Sequence, residues 1–243
     1  MRVKKMLLLV ILVLSLGLII NAADLSIVAS TSWVGAIASA AGASEVTILA
    51  PIELRHPPEY DYRPGDVVKV LEADYIVWAG YEPFIKKMIE AAPEISERLI
   101  QVRTTNTPDY LVPETRKLAE IFGTQTSQSK WEEIYLTEME NYKKRAQLNK
   151  VAEKKVVVSV HQNEFITWLG FQPIKVIGTT QLTPYDVVEI LEKEPDLIID
   201  NYNSVDGKLL VDNSAYVLLF NFPTKEYPEL LDVLREDMRR LGL

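Results

Sequence analysis

The sequence has no cysteine and only two histidines among its 243 residues. Without thiols there is no disulfide framework, no thiolate metal site and no cysteine-borne lipid anchor, so any metal must be held by nitrogen and oxygen donors. Signatures of nucleotide binding and hydrolysis are missing as well: there is no P-loop, no H-E-x-x-H helix, no G-x-S-x-G elbow and no C-x-x-C. Basic residues are outnumbered, 26 against 34 acidic, for a formal charge of -8. Such a balance repels nucleic acid and favours cations, and it equally keeps an exported protein soluble. Glycine and proline are absent from Thr124 to Leu169.

What is present begins with Arg2, Lys4 and Lys5 ahead of an apolar run from Met6 to Ile20, followed by Ala22 and Ala23. Residues 1–23 therefore read as a targeting segment, which predicts export to the periplasm or cell surface. The run is close to the roughly 18 residues that begin to span a bilayer, so retention as an amino-terminal anchor stays open beside cleavage. Removing the segment takes away three basic residues and no acidic one, moving the formal charge from -8 to -11.

From Leu25 onward short apolar runs alternate with amphipathic stretches, the pattern of β-α-β units and largely parallel sheets. Strands are predicted at Leu25 to Ala29, Val46 to Leu49, Tyr75 to Trp78 and Leu99 to Val102. In the second half they are predicted at Val156 to Val160, Lys175 to Ile177, Leu197 to Ile199 and Tyr216 to Phe220. An internal echo links the halves: Pro64-Gly65-Asp66-Val67-Val68-Lys69-Val70-Leu71-Glu72, closing on Asp74 and Tyr75, returns as Pro184-Tyr185-Asp186-Val187-Val188-Glu189-Ile190-Leu191-Glu192, closing on Asp196 and Leu197. In each copy a proline at the first helical position and an aspartate in the first turn start a helix that feeds a buried strand.

Between the copies, the stretch without glycine or proline opens with Ser129-Lys130-Trp131-Glu132, the pattern of a capping box, and predicts a helix from Lys130 to Ala152. At about 1.5 Å per residue it would be roughly 34 Å long, a rigid connector. The expected fold is α/β: two Rossmann-like lobes with mostly parallel sheets, residues 24–126 and 153–243, joined by a long connector helix over 127–152. A packing helix from Pro228 to Leu241 closes the chain, with Leu230, Leu234 and Met238 on its apolar face.

Both histidines stand just after predicted strands, where open α/β sheets place ligands. His56 follows Val46 to Leu49, and His161 ends Val156 to Val160. Neutral imidazole is a common metal ligand, yet two imidazoles leave a site incomplete. Glu59, Asp61 and Asp200 are acids that could complete or orient it. Tyr60, Tyr62 and Tyr202 fall in loops where they could line a pocket for an organic ligand, and the four tryptophans read as core.

The chain resembles the metal-binding proteins of zinc and manganese ABC importers. The likeness is carried by Ile27-Val28-Ala29-Ser30-Thr31-Ser32-Trp33, by Pro64-Gly65-Asp66 and by the run from Leu71 to Phe84. The resemblance implies His56 as first ligand, Asp109 in Pro108-Asp109-Tyr110-Leu111 where the family has histidine, His161 ahead of Phe165 and Gly170-Phe171 as third, and Asn221 before Phe222-Pro223 in place of an aspartate. His56 lies two residues further from Asp66 than the family spacing, and the Pro108 turn is one residue short. The implied function is capture of Zn2+ or Mn2+ between the lobes and delivery to the permease of an ABC importer. A monomer without nucleic-acid partners or enzymatic activity is expected. An Asp and Asn pair is oxygen-rich and shifts preference toward manganese. Two other functions fit the same residues: binding of an organic solute or metal chelate of corrinoid or siderophore type, and an exported metal-dependent hydrolase built on the same donors.

Overall fold

The computed structural model describes residues 25–178, 182–203 and 215–243. The targeting segment read over residues 1–23 lies outside the described residues.

Among the described residues eight strands form, each within two residues of its predicted place: β1 Ile27–Ala29, β2 Val46–Ile48, β3 Tyr75–Trp78, β4 Leu99–Gln101, β5 Val156–Ser159, β6 Pro173–Ile177, β7 Leu197–Asn201 and β8 Ala215–Leu219. They build two four-stranded sheets ordered β2-β1-β3-β4 and β6-β5-β7-β8. All pairings are parallel. The helices are α1 Ser32–Ala40, α2 Pro64–Glu72, α3 Pro83–Ala91, α4 Pro108–Phe122, α5 Gln125–Leu148, α6 Val160–Leu169, α7 Pro184–Glu192 and α8 Leu230–Leu241. The chain is thus an α/β protein with two lobes of the same strand order.

The internal echo is a structural repeat down to individual hydrogen bonds. Asp66 accepts from the Arg63 N–H at 2.9 Å at the start of α2, and Asp186 accepts from the Thr183 N–H at 3.0 Å at the start of α7. Asp74 and Asp196, after these helices, accept at 2.9 and 2.8 Å from the N–H groups of Ser26 and Lys155, just before the central strands. Each aspartate ties the helix-to-strand turn to the neighbouring strand, which is why both copies need a carboxylate there.

Alternation along the strands sorts the apolar residues into layers. The outer face of the first sheet, Val28 and Ile76, packs with Phe84, Ile85 and Met88, and that of the second, Val157 and Ile198, with Ile177 and Ile190. The inner faces, Ile27, Ala29 and Val77 from one lobe and Val156, Val158 and Ile199 from the other, belong to a single continuous core. Trp33 of α1, Tyr135 and Met139 of α5, and Leu234 and Met238 of α8 complete it. Burying each such side chain contributes about 1.5–3 kcal/mol, and here that gain is shared between the lobes.

The connector starts earlier and stops earlier than the sequence pattern suggests. Gly123, at φ 72, ends α4 in the left-handed conformation, and α5 begins two residues later. Ser129 and Glu132 fall inside α5, and Glu132 caps nothing: it pairs with Arg116 of α4 and accepts from Gln128 at 2.7 Å. Lys150, at φ 52, breaks the helix before Val151 turns into the core. At 24 residues α5 is about 36 Å long. Among the described residues no helix is long and apolar enough to cross a membrane.

Candidate functional site

Because every pairing is parallel, the loops after the strands of each sheet gather at one end of it, and there the lobes meet. Among the described residues, three polar contacts cross the gap. Ser32 Oγ donates to the Pro223 carbonyl at 3.4 Å, Asn203 Nδ2 donates to the Arg55 carbonyl at 3.0 Å, and Lys225 pairs with Glu53 at 2.6 Å. Two cavities with walls from both lobes lie along this seam. One, of about 200 Å3, is lined by Trp33, Thr104, Asn106, His161, Glu164 and Asn221 among others. The other, of about 470 Å3, is bordered by Ile52 to Arg55 on one side and by Tyr202, Asn203 and Phe222 to Lys225 on the other.

His161 occupies the first turn of α6, and so does not end β5 as the apolar run suggested; Ser159 is the last strand residue. Its neighbour Gln162 is wholly buried and donates from Nε2 to the Phe220 carbonyl at 3.3 Å and to Asn221 Oδ1 at 2.7 Å. A carbonyl only accepts, so the Phe220 bond fixes which end of the Gln162 amide faces the loop, and this in turn fixes the orientation of Asn221. Gln162 Oε1 has no partner among the described residues. On the far side of that loop the Phe220 N–H donates to buried Asp237 Oδ1 at 2.9 Å. The backbone just before Asn221 is therefore clamped from both sides.

Across the cavity, Trp33 Nε1 donates to the Thr104 carbonyl at 3.0 Å and holds the loop after β4. Beneath it, Glu82 is fully buried and accepts from Ser30 Oγ at 2.5 Å and from the N–H groups of Ala79 and Tyr81 at 2.9 and 3.1 Å. Gly80 makes this turn at φ 92, and a Cβ there would meet the Gln101 amide at 2.2 Å.

The structure brings His161 and Asn221 to one cavity and leaves His56 and Asp109 off its walls. His56 is exposed at the start of a short 3-10 turn, Pro57–Glu59, one residue beyond Arg55 of the larger cavity. Asp109 is exposed in the first turn of α4, three residues after Asn106. Burial first, and then the Asp109 carboxylate, push the Tyr135 hydroxyl of α5 far above its ordinary range. Among the described residues no three His, Asp or Glu side chains lie close enough together to hold a metal ion. Of the other acids, Glu59 and Asp61 are exposed, while Asp200 is buried and accepts from the Tyr216 hydroxyl at 2.8 Å.

Sequence reasoning missed Glu164 and Gln162. Glu164 stands three residues after His161, a spacing that places two donors on one helix face, and this was the available signal. Nothing in the pattern marks Gln162 as buried.

No family model matches the chain, and a search of curated proteins finds no relative. Solved structures do match. A manganese-bound point variant of the periplasmic metal binding protein from Candidatus Liberibacter asiaticus aligns at TM-score 0.66 and 14% identity, over 88% of this chain and 97% of that one. The cadmium-bound form aligns at TM-score 0.62 and 15% identity over the same shares. The fold is that of the periplasmic metal-binding proteins. A mutant of the laminin-binding adhesin from Streptococcus agalactiae shares it at TM-score 0.70 and 14% identity, covering 89% of this chain and 98% of that one. Two lobes with parallel sheets and a long helix between them, the fold class predicted from the sequence, are present.

Proposed function

We propose that the chain is an extracytoplasmic solute-binding protein that captures a divalent cation, Zn2+ or Mn2+, in the cleft between its lobes and hands it, as a monomer, to the permease of an ABC importer. The observation that carries this reading is the meeting of His161, Glu164 and Asn221 in one cavity beyond the carboxyl ends of β5 and β8. An imidazole, a carboxylate and an amide oxygen form a donor set suited to manganese and tolerated by zinc. The Asn221 Oδ1 bonded to Gln162 keeps a second lone pair for a cation. Structures sharing the fold carry manganese and cadmium, which supports a cation as cargo. His56 and Asp109 are the donors proposed from the first lobe, carried by the loop after β2 and the first turn of α4. Arg2, Lys4, Lys5 and the apolar run after them support export, with the segment either cleaved or kept as an anchor.

Thermal unfolding with and without MnCl2 or ZnCl2 tests the proposal. A ligand at about 100 times its Kd adds about 2.7 kcal/mol to the folded state. The parent is expected to gain several degrees, and His161→Ala and Glu164→Ala to lose most of that gain. Loss of the gain in His56→Ala or Asp109→Ala assigns those residues to the site as well. A parent that responds to neither cation overturns the reading.

A further inference from the structure

With His56 and Asp109 off the cavity walls, as the structure places them, His161, Glu164 and Asn221 supply three donors there, whereas zinc takes about four and manganese about six. The larger cavity lies beside them on the same loop, since Asn221 lines one cavity and Phe222 to Lys225 line the other. Its volume of about 470 Å3 falls in the range of small-molecule sites, about 300–1,000 Å3.

In a chain of net charge -8, this cavity brings two cations together, Arg55 and Lys225. Among the described residues no hydrogen bond or ion pair reaches the Arg55 guanidinium. Lys225 pairs with Glu53 at the surface, a kind of contact worth little and easily exchanged. Asn203 is 8% exposed, and its Nδ2 is engaged by the Arg55 carbonyl. Its Oδ1 is buried without a partner among the described residues, an acceptor awaiting a donor.

Resting on the metal reading above, we infer that the cation enters this cleft as a complex with a small hydroxy-polycarboxylate. The carboxylates of such a chelator fill the coordination positions the chain leaves open. Its surplus negative charge pairs with Arg55, which suits bidentate carboxylate recognition, and with Lys225. A hydroxyl group on it offers a donor to the buried Asn203 Oδ1. The cleft then holds both halves of one ligand, the cation in the smaller cavity and the organic anion in the larger.

Isothermal titration of the full chain with MnCl2, with sodium citrate and with an equimolar mixture of the two tests this inference. The mixture is expected to bind at least about tenfold more tightly than either component. Arg55→Ala and Lys225→Ala are each expected to bring the affinity of the complex down about tenfold, toward that of Mn2+ alone. If Mn2+ alone binds the parent and citrate weakens that binding by competition, the chelate inference is overturned and the bare-cation reading stands. If neither Mn2+ nor the mixture binds, this inference is overturned, and unfolding with ZnCl2 then decides the metal reading. Citrate alone binding as tightly as the mixture overturns both.

Discussion

Gln162 holds Asn221 by a 2.7 Å hydrogen bond from inside the protein, so the one polar side chain contributed to the small cavity by the β8 loop is set by a residue that never meets solvent. Replacing Gln162 with leucine keeps the volume near constant and removes both donors. The expected result is a loss of about 1–3 kcal/mol in stability, because the buried Phe220 carbonyl loses its side-chain donor. Mn2+ affinity measured by titration should fall about tenfold more than stability alone explains, since the Asn221 amide is free to turn. Unchanged affinity in a folded Gln162→Leu would show that Asn221 needs no such support.

Glu82 is the corresponding anchor of the first lobe. Its carboxylate satisfies Ser30 and two backbone N–H groups at once. Glu82→Ala is expected to cost about 2–3 kcal/mol in urea unfolding, as charged hydrogen bonds are lost and buried donors stranded. Glu82→Gln should recover part of that, because an amide oxygen still accepts.

Tyr135 is fully buried on α5, and its hydroxyl has no partner among the described residues. Tyr135→Phe removes an unsatisfied polar atom while keeping the ring stacked on Trp131 at 4.7 Å. Stability is expected to stay level or to rise by up to about 1 kcal/mol. A loss larger than about 1 kcal/mol would reveal that the hydroxyl is bonded in solution.

Glu236 and Asp237, adjacent on α8, respond to pH in opposite directions. The Arg239 guanidinium, against the cost of burial and with help from Arg240, holds the Glu236 carboxyl at about 2, below its ordinary 4.5. Its contribution is complete above about 4.5 and is lost as the pH falls toward about 2. Burial pushes Asp237 well above its ordinary 3.8, and the Phe220 N–H only partly offsets this. The folded state keeps a proton there that the unfolded chain gives up, so its contribution is fullest below 3.8 and declines as the pH rises through the raised value. Thermal unfolding across the acid and neutral range should show stability rising out of strong acid and then declining. Asp237→Asn should flatten the decline and leave the acid limb in place. A decline that persists in Asp237→Asn would assign it to another group.

The parallel strands were legible because each is a short apolar run ended by a turn, and the repeat was legible because Asp66 and Asp186 do the same local work. The connector was legible as a helix but not in its limits. Those depend on Gly123 and Lys150 adopting left-handed backbone and on Glu132 finding Arg116 across two helices. The cleft was legible only in part. His161 could be placed beyond a strand end by order along the chain and Asn221 only through the resemblance, whereas Gln162 and Glu82 gain their meaning from partners brought close by folding. A histidine such as His56 gives the same signal in sequence whether its loop turns inward or, as here, lies exposed.

The single core running beneath both sheets limits how this molecule can grip anything. A hinge between the lobes would have to pull Trp33, Tyr135 and Leu234 out of contact, which a well-packed interior resists. Loading should therefore leave the radius of gyration in X-ray scattering nearly unchanged. Slowed amide exchange should be confined to the rim, above all the segment from Leu49 to Arg63 that carries Arg55 and His56. Release to a partner would then be a matter of peeling back a loop while the two halves stay where they are.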